Sequence, residues 1–545
     1  MDHLSGLDAT FLYMETPETP MHVGGLNVFE LPPGYQGEFL DNLRAHIAAR
    51  MHLAPVFSRK LVNMPFELAN PIWVADDDVD LEYHIRSTVL PKPGTREQLD
   101  RLVGRLHSSL LDRSRPLWEF YVIEGLQPPP DRVAAAPAGT RYVAFYSKVH
   151  HAAVDGEAGV ALAQAIMDIS AVPRAVRPAS RKPAGSDNFG IAELAGSGVK
   201  NAITQTVKLA RSLPTLARAA WGMLKPVADD DAAGGGGVLA TEKAGLFAPK
   251  TPINVNVTNQ RSFSSFSLPM AELKHIAKGN GATLNDVVMA ICSGALRKYL
   301  ADLNCKPAKP LLAAVPVSLR EAGNTDMNTQ ASMMRISLAS HIKDPLERLL
   351  AIHAASTSAK TVTNSVKTAL PTDFPSLGAP WLLSGLASLW GRSKLANAMP
   401  PLANVAISNV PGPKVALYMA GGRMLTYYPV SIVVHSMGLN VTVQSYNGNL
   451  DWGLIACRRA MPDLPELAKY MQAAHAELLK LTPAAAPVLE VVPGSVTHPN
   501  LNAKTKLPLN AEVAEVSRNT RKTASRKTAA QRAAKSQTSK KLQSA

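Results

Sequence analysis

One short segment of the sequence has residue types and spacing suited to proton transfer: His150-His151-Ala152-Ala153-Val154-Asp155-Gly156. Histidine gains and loses a proton near neutral pH, so an imidazole held in a cleft can act as a general acid or base. A buried, hydrogen-bonded histidine pair beside an ordinary turn is the alternative. The aspartate and glycine at fixed distance favour a functional site over that alternative.

The flanking residues indicate how this segment is positioned. Tyr142–Val149 is rich in β-branched and aromatic residues, which predicts a strand. Gly156–Ser170 has apolar residues at helical spacing, which predicts an amphipathic helix. The histidine pair therefore lies at a strand-to-helix turn, where one imidazole can face a cleft while the other points back into the protein.

A resemblance to a known family rests on this segment and on further motifs in a fixed order. HHxxxDG resembles the signature of the CoA-dependent acyltransferase superfamily, which includes chloramphenicol acetyltransferase and peptide-synthetase condensation domains. Over residues 1–170 and 250–480 the chain resembles the bacterial wax ester synthase/diacylglycerol O-acyltransferase family. The motifs that carry this resemblance are Leu4-Ser5-Gly6-Leu7-Asp8-Ala9, Pro20-Met21-His22-Val23-Gly24, Pro116-Leu117-Trp118, Asn285-Asp286-Val287-Val288, Pro316-Val317-Ser318-Leu319-Arg320 and Ser408-Asn409-Val410-Pro411-Gly412-Pro413.

The resemblance implies an α/β (α+β) fold. Two chloramphenicol-acetyltransferase-like domains would form a pseudo-two-fold pair with a cleft or tunnel between them. Composition agrees, since 545 residues exceed the usual size of a single core. We expect an N-terminal domain over 1–170, a linker with an amphipathic helical stretch over 171–250, a C-terminal domain over 251–485, and a disordered basic tail over 486–545.

The resemblance also implies roles for individual residues. His151 would be the general base, and His150 would support the turn. Asp155 would pair with Arg320 to hold the histidine loop, although a triad, with the Asp155 carboxylate behind the imidazole, is the alternative. Gly156 would allow a tight turn and close approach to ligand.

Two further regions have open interpretations. Asn285 would face the cleft and polarise the thioester carbonyl, or it would belong only to a helix cap. The apolar, proline-punctuated segment 370–402 would line an acyl channel, touch a lipid surface, or be plain core. The residues predicted to line the substrate channel are Trp381, Leu386, Trp390 and Asn409.

The implied reaction moves a long-chain acyl group from acyl-CoA to diacylglycerol or a fatty alcohol. No G-x-S-x-G elbow is present and no cysteine lies in a nucleophile motif, which favours direct transfer without an acyl-enzyme. No metal site is expected, because adjacent histidines chelate poorly and no third ligand has standard spacing. No cofactor is expected either, since acyl-CoA would be a co-substrate.

The composition of the sequence indicates where in the cell the protein is expected to act. No signal peptide or long apolar span is evident, and the spacing of Cys292, Cys305 and Cys457 fits no metal or redox pattern, so we expect a cytoplasmic protein. Residues 517–545 contain nine Lys or Arg and no Asp or Glu, which accounts for most of the net charge of +14. This tail would attach the protein peripherally to a membrane or lipid inclusion, or only solubilise it. Its charge would also allow non-specific binding of nucleic acid, although such binding is not expected.

Further elements are predicted along the second half. Trp118 is predicted to pack in the core. Strands are predicted at 261–268, 311–317, 405–408, 430–434, 439–446 and 450–455, and helices at 271–279, 284–300 and 462–481. Asn447-Gly448-Asn449 is predicted to form a hairpin turn.

Two other functions remain open at this level. A relative within the same superfamily could condense an acyl thioester with an amine or a polyketide hydroxyl. A non-catalytic lipid-granule protein would use the linker helix, the apolar segment and the basic tail. The intact HHAAVDG segment argues against a non-catalytic role.

Overall fold

The computed structural model describes residues 2–64, 70–129, 136–154, 156–178, 247–318, 331–367 and 399–483. The strands are β1 Asp2–His3, β2 His22–Leu31, β3 Arg59–Val62, β4 Ile72–Ala75, β5 Ile85–Val89, β6 Trp118–Glu124, β7 Arg141–His150, β8 Arg261–Pro269, β9 Leu312–Ser318, β10 Ala331–Ser337, β11 Val405–Val410, β12 Tyr418–Met419, β13 Gly422–Val430, β14 Leu439–Tyr446 and β15 Asn449–Cys457. The α-helices are α1 Gly6–Met14, α2 Phe39–Ala48, α3 Leu81–His84, α4 Arg96–His107, α5 Gly156–Ile166, α6 Met270–Gly279, α7 Leu284–Asp302, α8 Pro345–Lys367 and α9 Leu464–Leu481.

The described strands form two six-stranded sheets and one small sheet. The first large sheet has the order β12-β13-β2-β7-β6-β5, and the second has the order β10-β9-β11-β14-β15-β8. The small sheet has the order β1-β4-β3. This mixed α/β architecture confirms the predicted fold class.

Late strands of the chain join the first sheet. β13 pairs antiparallel with β2, and Tyr428 lies opposite Leu26. The same strand also touches β15, because the backbone N–H of Tyr427 donates to Asp451 Oδ2 at 2.6 Å. A Cβ atom on Gly453 would lie 1.7 Å from the carbonyl oxygen of Pro429, so only glycine allows this approach. The first sheet is therefore completed by residues from far along the sequence.

Helix caps and apolar faces explain the main helices of the second half. Thr283 and Asp286 form a capping box at the start of α7, which satisfies backbone N–H groups there. The apolar faces of α6, α7 and α9 pack with strands of the second sheet into the largest core cluster. Trp452 and Phe266 stack within it, with ring centroids 5.3 Å apart.

Most of the predicted elements that fall on described residues are confirmed, with two changes. The helix predicted over 156–170 ends at Ile166, because Asp168 turns away to form a bridge with Tyr418. The strand predicted over 430–434 is wrong, since β13 ends at Val430. Val433 is 1% exposed, so its apolar side chain is satisfied by core packing without strand pairing.

The structure also tests two predicted turns and the prediction that no helix spans a membrane. β11 continues through Val410, so the predicted turn after Ser408 starts later than expected. The hairpin between β14 and β15 is confirmed, with Asn447 and Gly448 both at positive φ between the paired residues Tyr446 and Asn449. Among the described helices, none is both long enough and apolar enough to cross a membrane.

Candidate active site

The histidine pair lies where the central strand of the first sheet ends. β7 ends at His150, which lies opposite His22 of β2. The backbone N–H of His150 donates to the Leu117 carbonyl at 2.9 Å, and that of His151 donates to the Met21 carbonyl at 2.8 Å. A 3₁₀ turn, His151–Ala153, follows at once. Both histidines are therefore held by main-chain bonds to the neighbouring chain segments.

The N-terminal helix α1 packs against this turn. Its start is capped by Ser5, whose hydroxyl accepts from the Asp8 backbone N–H at 3.2 Å and donates to the Asp8 carboxylate at 2.6 Å. Its apolar side joins a small core cluster with Leu117 and Ala152. The residues that α1 and the segment before it contribute to that cluster are Leu4, Ala9, Leu12 and Tyr13. The N-terminal motif therefore supports the histidine turn.

His150 is fully buried and has a structural environment. Its Nδ1 accepts from the backbone N–H of Ala152 at 3.1 Å. Its Nε2 lies 3.3 Å from Glu15 Oε2. Nε2 is therefore the ring nitrogen that faces the Glu15 carboxylate. This arrangement supports the prediction that His150 orients the turn.

Glu15, which follows α1 directly, connects three parts of the site. Its Oε1 accepts from Arg113 Nη2 at 2.8 Å, and its Oε2 accepts from the Met21 backbone N–H at 2.9 Å. Burial alone would raise the pKa of Glu15. The hydrogen bond and charge of His150, together with Arg113 and the Met21 N–H, outweigh burial and lower that pKa to about 2. Glu15 is therefore a buried carboxylate that stays ionised.

His151 has a different environment. The residue is partly exposed, and its ring stacks on Phe11 of α1, with ring centroids 3.9 Å apart and an interplanar angle of 13°. Stacking on a rigid aromatic side chain restricts the imidazole orientation. A ring that is held this way in a partly exposed residue can exchange a proton with a bound molecule.

Further ionisable groups lie buried behind the turn. Lys148, fully buried on β7, pairs with Glu119 Oε2 at 2.8 Å, and burial lowers its pKa. His107 bonds to the Tyr146 hydroxyl at 2.8 Å and to the Ser431 carbonyl at 2.9 Å. Burial lowers the pKa of His107 to about 3 and that of His22 well below its usual value. Both histidines are therefore neutral at physiological pH.

Trp118 lies in the core, as predicted. It is 1% exposed, stacks on His84 at 4.3 Å between ring centroids, and contacts Phe57 edge-on at 5.2 Å. Its Nε1 donates to the Phe57 carbonyl at 3.2 Å. Its role is to fix β6 beside the strand that carries the histidines.

The start of α7 separates two neighbouring polar residues by role. Asp286 is fully buried and accepts from Ser356 Oγ at 2.6 Å, and it lies 2.7 Å from His353 Nδ1. It therefore joins α7 to α8. Asn285 lies within the first turn of α7 and is partly exposed, and Thr283 is the cap residue. Among the described residues the Asn285 side chain makes no hydrogen bond.

Of the other predicted site residues, the structure describes two, and the rest lie outside the described residues. Gly156 begins α5 next to the histidine turn. Asn409 is exposed near the end of β11 and pairs through its backbone with Val443. Neither Asn285 nor Asn409 makes a hydrogen bond with the two histidines within the described part of the chain. Several predictions lie outside the described residues: Asp155, Arg320, Trp381, Leu386, Trp390, the linker helical stretch and the basic tail.

Sequence reasoning missed two residues of the site, Phe11 and Glu15. Both contact the histidine turn across more than a hundred positions of sequence. The available signal was the order of the motifs: the N-terminal motif ends just before Phe11, and Glu15 precedes the Pro20–Gly24 motif. Phe11 and Glu15 lie between two motifs that both contact the histidine turn. Residues in such a position are candidates to contact the turn as well.

Two family models and several related proteins match this chain. Residues 4–288 match the model of the wax ester synthase/diacylglycerol acyltransferase catalytic domain, and residues 328–479 match the model of the corresponding C-terminal domain. A putative diacylglycerol O-acyltransferase of Mycobacterium tuberculosis is 36% identical over 484 residues, which cover 87% of this chain and 99% of that protein. A probable diacylglycerol O-acyltransferase of the same organism is 35% identical over 492 residues, which cover 88% of this chain and 99% of that protein.

A solved structure shows the same fold. The wax ester synthase/diacylglycerol acyltransferase from Marinobacter aquaeolei VT8 is 30% identical, with a TM-score of 0.61 and coverage of 87% of this chain and 98% of that one. The two family models match successive parts of the chain and together span most of it. This chain belongs to the wax ester synthase/diacylglycerol acyltransferase family and is an acyltransferase.

Proposed function

We propose that this protein transfers a long-chain acyl group from acyl-CoA to the hydroxyl of diacylglycerol or a fatty alcohol. The products are triacylglycerol or wax ester. The names of the related acyltransferases support the oxygen acceptor and the lipid substrates. The observation that carries the proposal is the contrast within the histidine pair. His151 is held on Phe11 and partly exposed, whereas its neighbour is buried and bound to the turn.

His151 acts as the general base in this proposal. The neutral imidazole takes the acceptor hydroxyl proton as the oxygen attacks the thioester carbonyl. When the tetrahedral intermediate collapses, the C–S bond breaks and the imidazolium returns the proton to the CoA thiolate. The proton balance closes without a covalent acyl-enzyme. A positioned proton transfer of this kind contributes about 10²–10⁴-fold to the rate.

The other residues have supporting roles in the proposal. His150, bound to Glu15 and to the Ala152 N–H, fixes the turn that carries His151. The Asn285 amide donates a hydrogen bond to the developing oxyanion.

Asp155 and Arg320 form an ion pair that holds the histidine loop. A double charge swap of that pair should restore activity that each single charge reversal abolishes, whereas a triad role for Asp155 would give no rescue.

The proposed lipid substrates require an apolar channel for the acyl chain and access to a lipid surface. Trp381, Leu386, Trp390 and Asn409 line the acyl channel in this proposal. The basic tail holds the protein peripherally at an anionic membrane or lipid-inclusion surface, since each positive charge near such a surface contributes about 1 kcal/mol.

The test is an acceptor panel with the purified protein. Palmitoyl-CoA is supplied with a diacylglycerol, with hexadecanol, with a long-chain amine, or with no acceptor, and products are identified by chromatography and mass spectrometry. We expect ester formation with one or both hydroxyl acceptors, in equal amount to the CoA released. Product with the amine alone would favour the condensation-type alternative. No product with any acceptor would favour a non-catalytic lipid-granule protein.

A further inference from the structure

A large cavity lies in the second half of the molecule, between the C-terminal halves of α7 and α9. Its volume is about 1130 Å³. Arg297 lies twelve positions beyond Asn285 on the same helix, which places the two about 18 Å apart along the helix axis. The side chains that line the cavity are mostly small and apolar or basic; the basic ones are Arg297, Lys298, Lys306, His341, Lys343, Arg348 and Lys480.

Arg348 of α8 is the most deeply buried of these basic residues. It is 3% exposed, and its Nη1 donates to the carbonyls of Ile342 and Lys343 at 3.0 and 3.1 Å. Its buried Nε has no hydrogen-bond partner in the described structure. A Cβ atom on Gly294 would lie 3.1 Å from its Nη2, so the glycine makes room for the guanidinium beside α7. One edge of the guanidinium is thus anchored, and hydrogen-bonding capacity remains.

Arg297 is anchored on the same turn. Its Nη1 donates to the Ser340 carbonyl at 3.0 Å and more weakly to that of His341 at 3.4 Å. Both arginines therefore hold the 340–343 turn through main-chain carbonyls. Carbonyl groups orient a guanidinium but do not neutralise its charge.

Acidic side chains balance this cluster only in part. Within the described residues, neither Arg297 nor Arg348 has a carboxylate at ion-pair distance, and Glu477 is the one acidic residue that lines the cavity. Lys298 is paired with Asp302 and is therefore neutralised. Burial, followed by the charge of Arg297, lowers the pKa of Arg348, and the charges of Glu477 and Asp344 offset this only in part. A bound anion would relieve this repulsion.

We propose that this cavity binds a phosphate group through Arg297 and Arg348. Guanidinium groups with free N–H donors match phosphate oxygens in geometry and charge. Lys306, Lys343 and Lys480 also line the cavity and add attraction, and its apolar side chains accommodate the organic part of the ligand. The phosphate belongs either to a soluble phosphorylated molecule or to a phospholipid headgroup. The proposal does not depend on the identity of the acyl acceptor.

Binding measurements on the full-length protein test the proposal. The soluble arm titrates inorganic pyrophosphate by calorimetry, and the lipid arm measures flotation with phosphatidylcholine vesicles that contain or lack phosphatidate. The test variants are Arg297→Gln and Arg348→Lys, which keeps the charge but removes the guanidinium fork. The control is Lys274→Gln, which removes one positive charge from an exposed position on α6 outside the cavity. All proteins keep the basic tail, so it contributes equally.

A lost charged hydrogen bond should weaken binding at least about tenfold. Pyrophosphate binding that falls this much in Arg297→Gln but not in Lys274→Gln supports a soluble ligand. Loss of phosphatidate-dependent flotation in Arg297→Gln but not in Lys274→Gln supports a lipid headgroup. A raised KM for palmitoyl-CoA at unchanged kcat in Arg297→Gln would identify the phosphate as part of CoA. Equal behaviour of wild type, Arg297→Gln and Lys274→Gln in all three measurements overturns the proposal, even if Arg348→Lys fails to fold.

Discussion

The histidine turn and the basic cavity handle buried charge in opposite ways. Around the histidine turn, buried charges have partners of opposite sign, as in the pairs of Glu15 with Arg113 and Lys148 with Glu119. In the basic cavity, Arg297 and Arg348 bind only main-chain carbonyls among the described residues.

This difference separates two uses of buried polarity. Paired charges fix side-chain positions before a substrate arrives, which suits a site where an imidazole must be correctly oriented. Unbalanced charges leave the binding energy of an anion available, because burial without a partner is costly. Variants at the histidine turn should therefore show the largest effects, and removal of the basic tail the smallest.

Replacing His151 should have the largest effect. We expect His151→Ala to lower kcat by about 10²–10⁴-fold, because the general base is lost. His150→Ala should reduce activity less, since its role is to hold the turn. Steady-state CoA release by variants with wild-type circular dichroism measures both. A folded His151→Ala protein that keeps more than about a tenth of wild-type turnover would refute the base assignment.

Breaking the buried pair behind the turn should cost stability. Glu119→Gln leaves the fully buried Lys148 without its carboxylate, and we expect a loss of about 3–5 kcal/mol in the free energy of unfolding. The double variant Glu119→Gln/Lys148→Met should recover part of that loss. Urea unfolding of the three proteins measures these changes. A Glu119→Gln protein as stable as wild type would show that the pair is not needed.

Glu15 should affect catalysis without touching the substrate. Glu15→Gln keeps the side-chain size but removes the charge beside His150 and Arg113, so we expect kcat to fall about tenfold while KM changes little. The matched control is Glu38→Gln, which removes an exposed carboxylate paired with Arg141. Equal kcat values for the two variants would remove Glu15 from the account.

Protonation of the buried histidines should make the protein sensitive to mild acid. The folded-state pKa of His107 is about 3, below the usual value of 6.5, so the unfolded chain binds a proton that the folded protein does not. The free energy of unfolding should therefore fall as pH decreases below about 6.5, by up to about 1.4 kcal/mol per pH unit from this residue. Urea unfolding between pH 7.5 and 5 should show a smaller slope for His107→Gln. Equal slopes would contradict the assignment.

Removing the basic tail should have the smallest effect on turnover. A chain ending at Val516 should keep its activity on dispersed substrate, because the family models end at residue 479. Its flotation with anionic vesicles should decrease, and the difference from the full-length protein should shrink at high salt. Loss of turnover on truncation, or equal flotation of both proteins, would contradict the role given to the tail.

Local patterns in the sequence predicted the elements that carry the candidate site. The β-branched and aromatic residues of 142–149 predicted β7, and the Asn447-Gly448 pair predicted the hairpin, because both signals depend on near neighbours. The run Val430–Val434 misled the prediction for the opposite reason. Its apolar residues suggested a strand, whereas the core takes up Val433 outside any strand.

Contacts between distant segments could not be predicted in this way. Nothing near Phe11 or Glu15 in the sequence indicates that a histidine turn will lie against them. The pairing of β13 with β2 likewise joins residues about 400 positions apart. Arg348 has the same character, because its missing counter-charge is a property of the packed helices and not of its neighbours in sequence.

The central claim is that the histidine turn supports base-assisted transfer without an acyl-enzyme. A rapid-mixing experiment with palmitoyl-CoA tests this claim most directly. Thiol release and the intact mass of the protein are followed first without acceptor and then after hexadecanol or diacylglycerol is added. We predict no burst of CoA and no mass increase before the acceptor, then CoA and ester in equal amounts. A burst equal to the enzyme concentration, with a palmitoyl group attached to the protein, would contradict the claim.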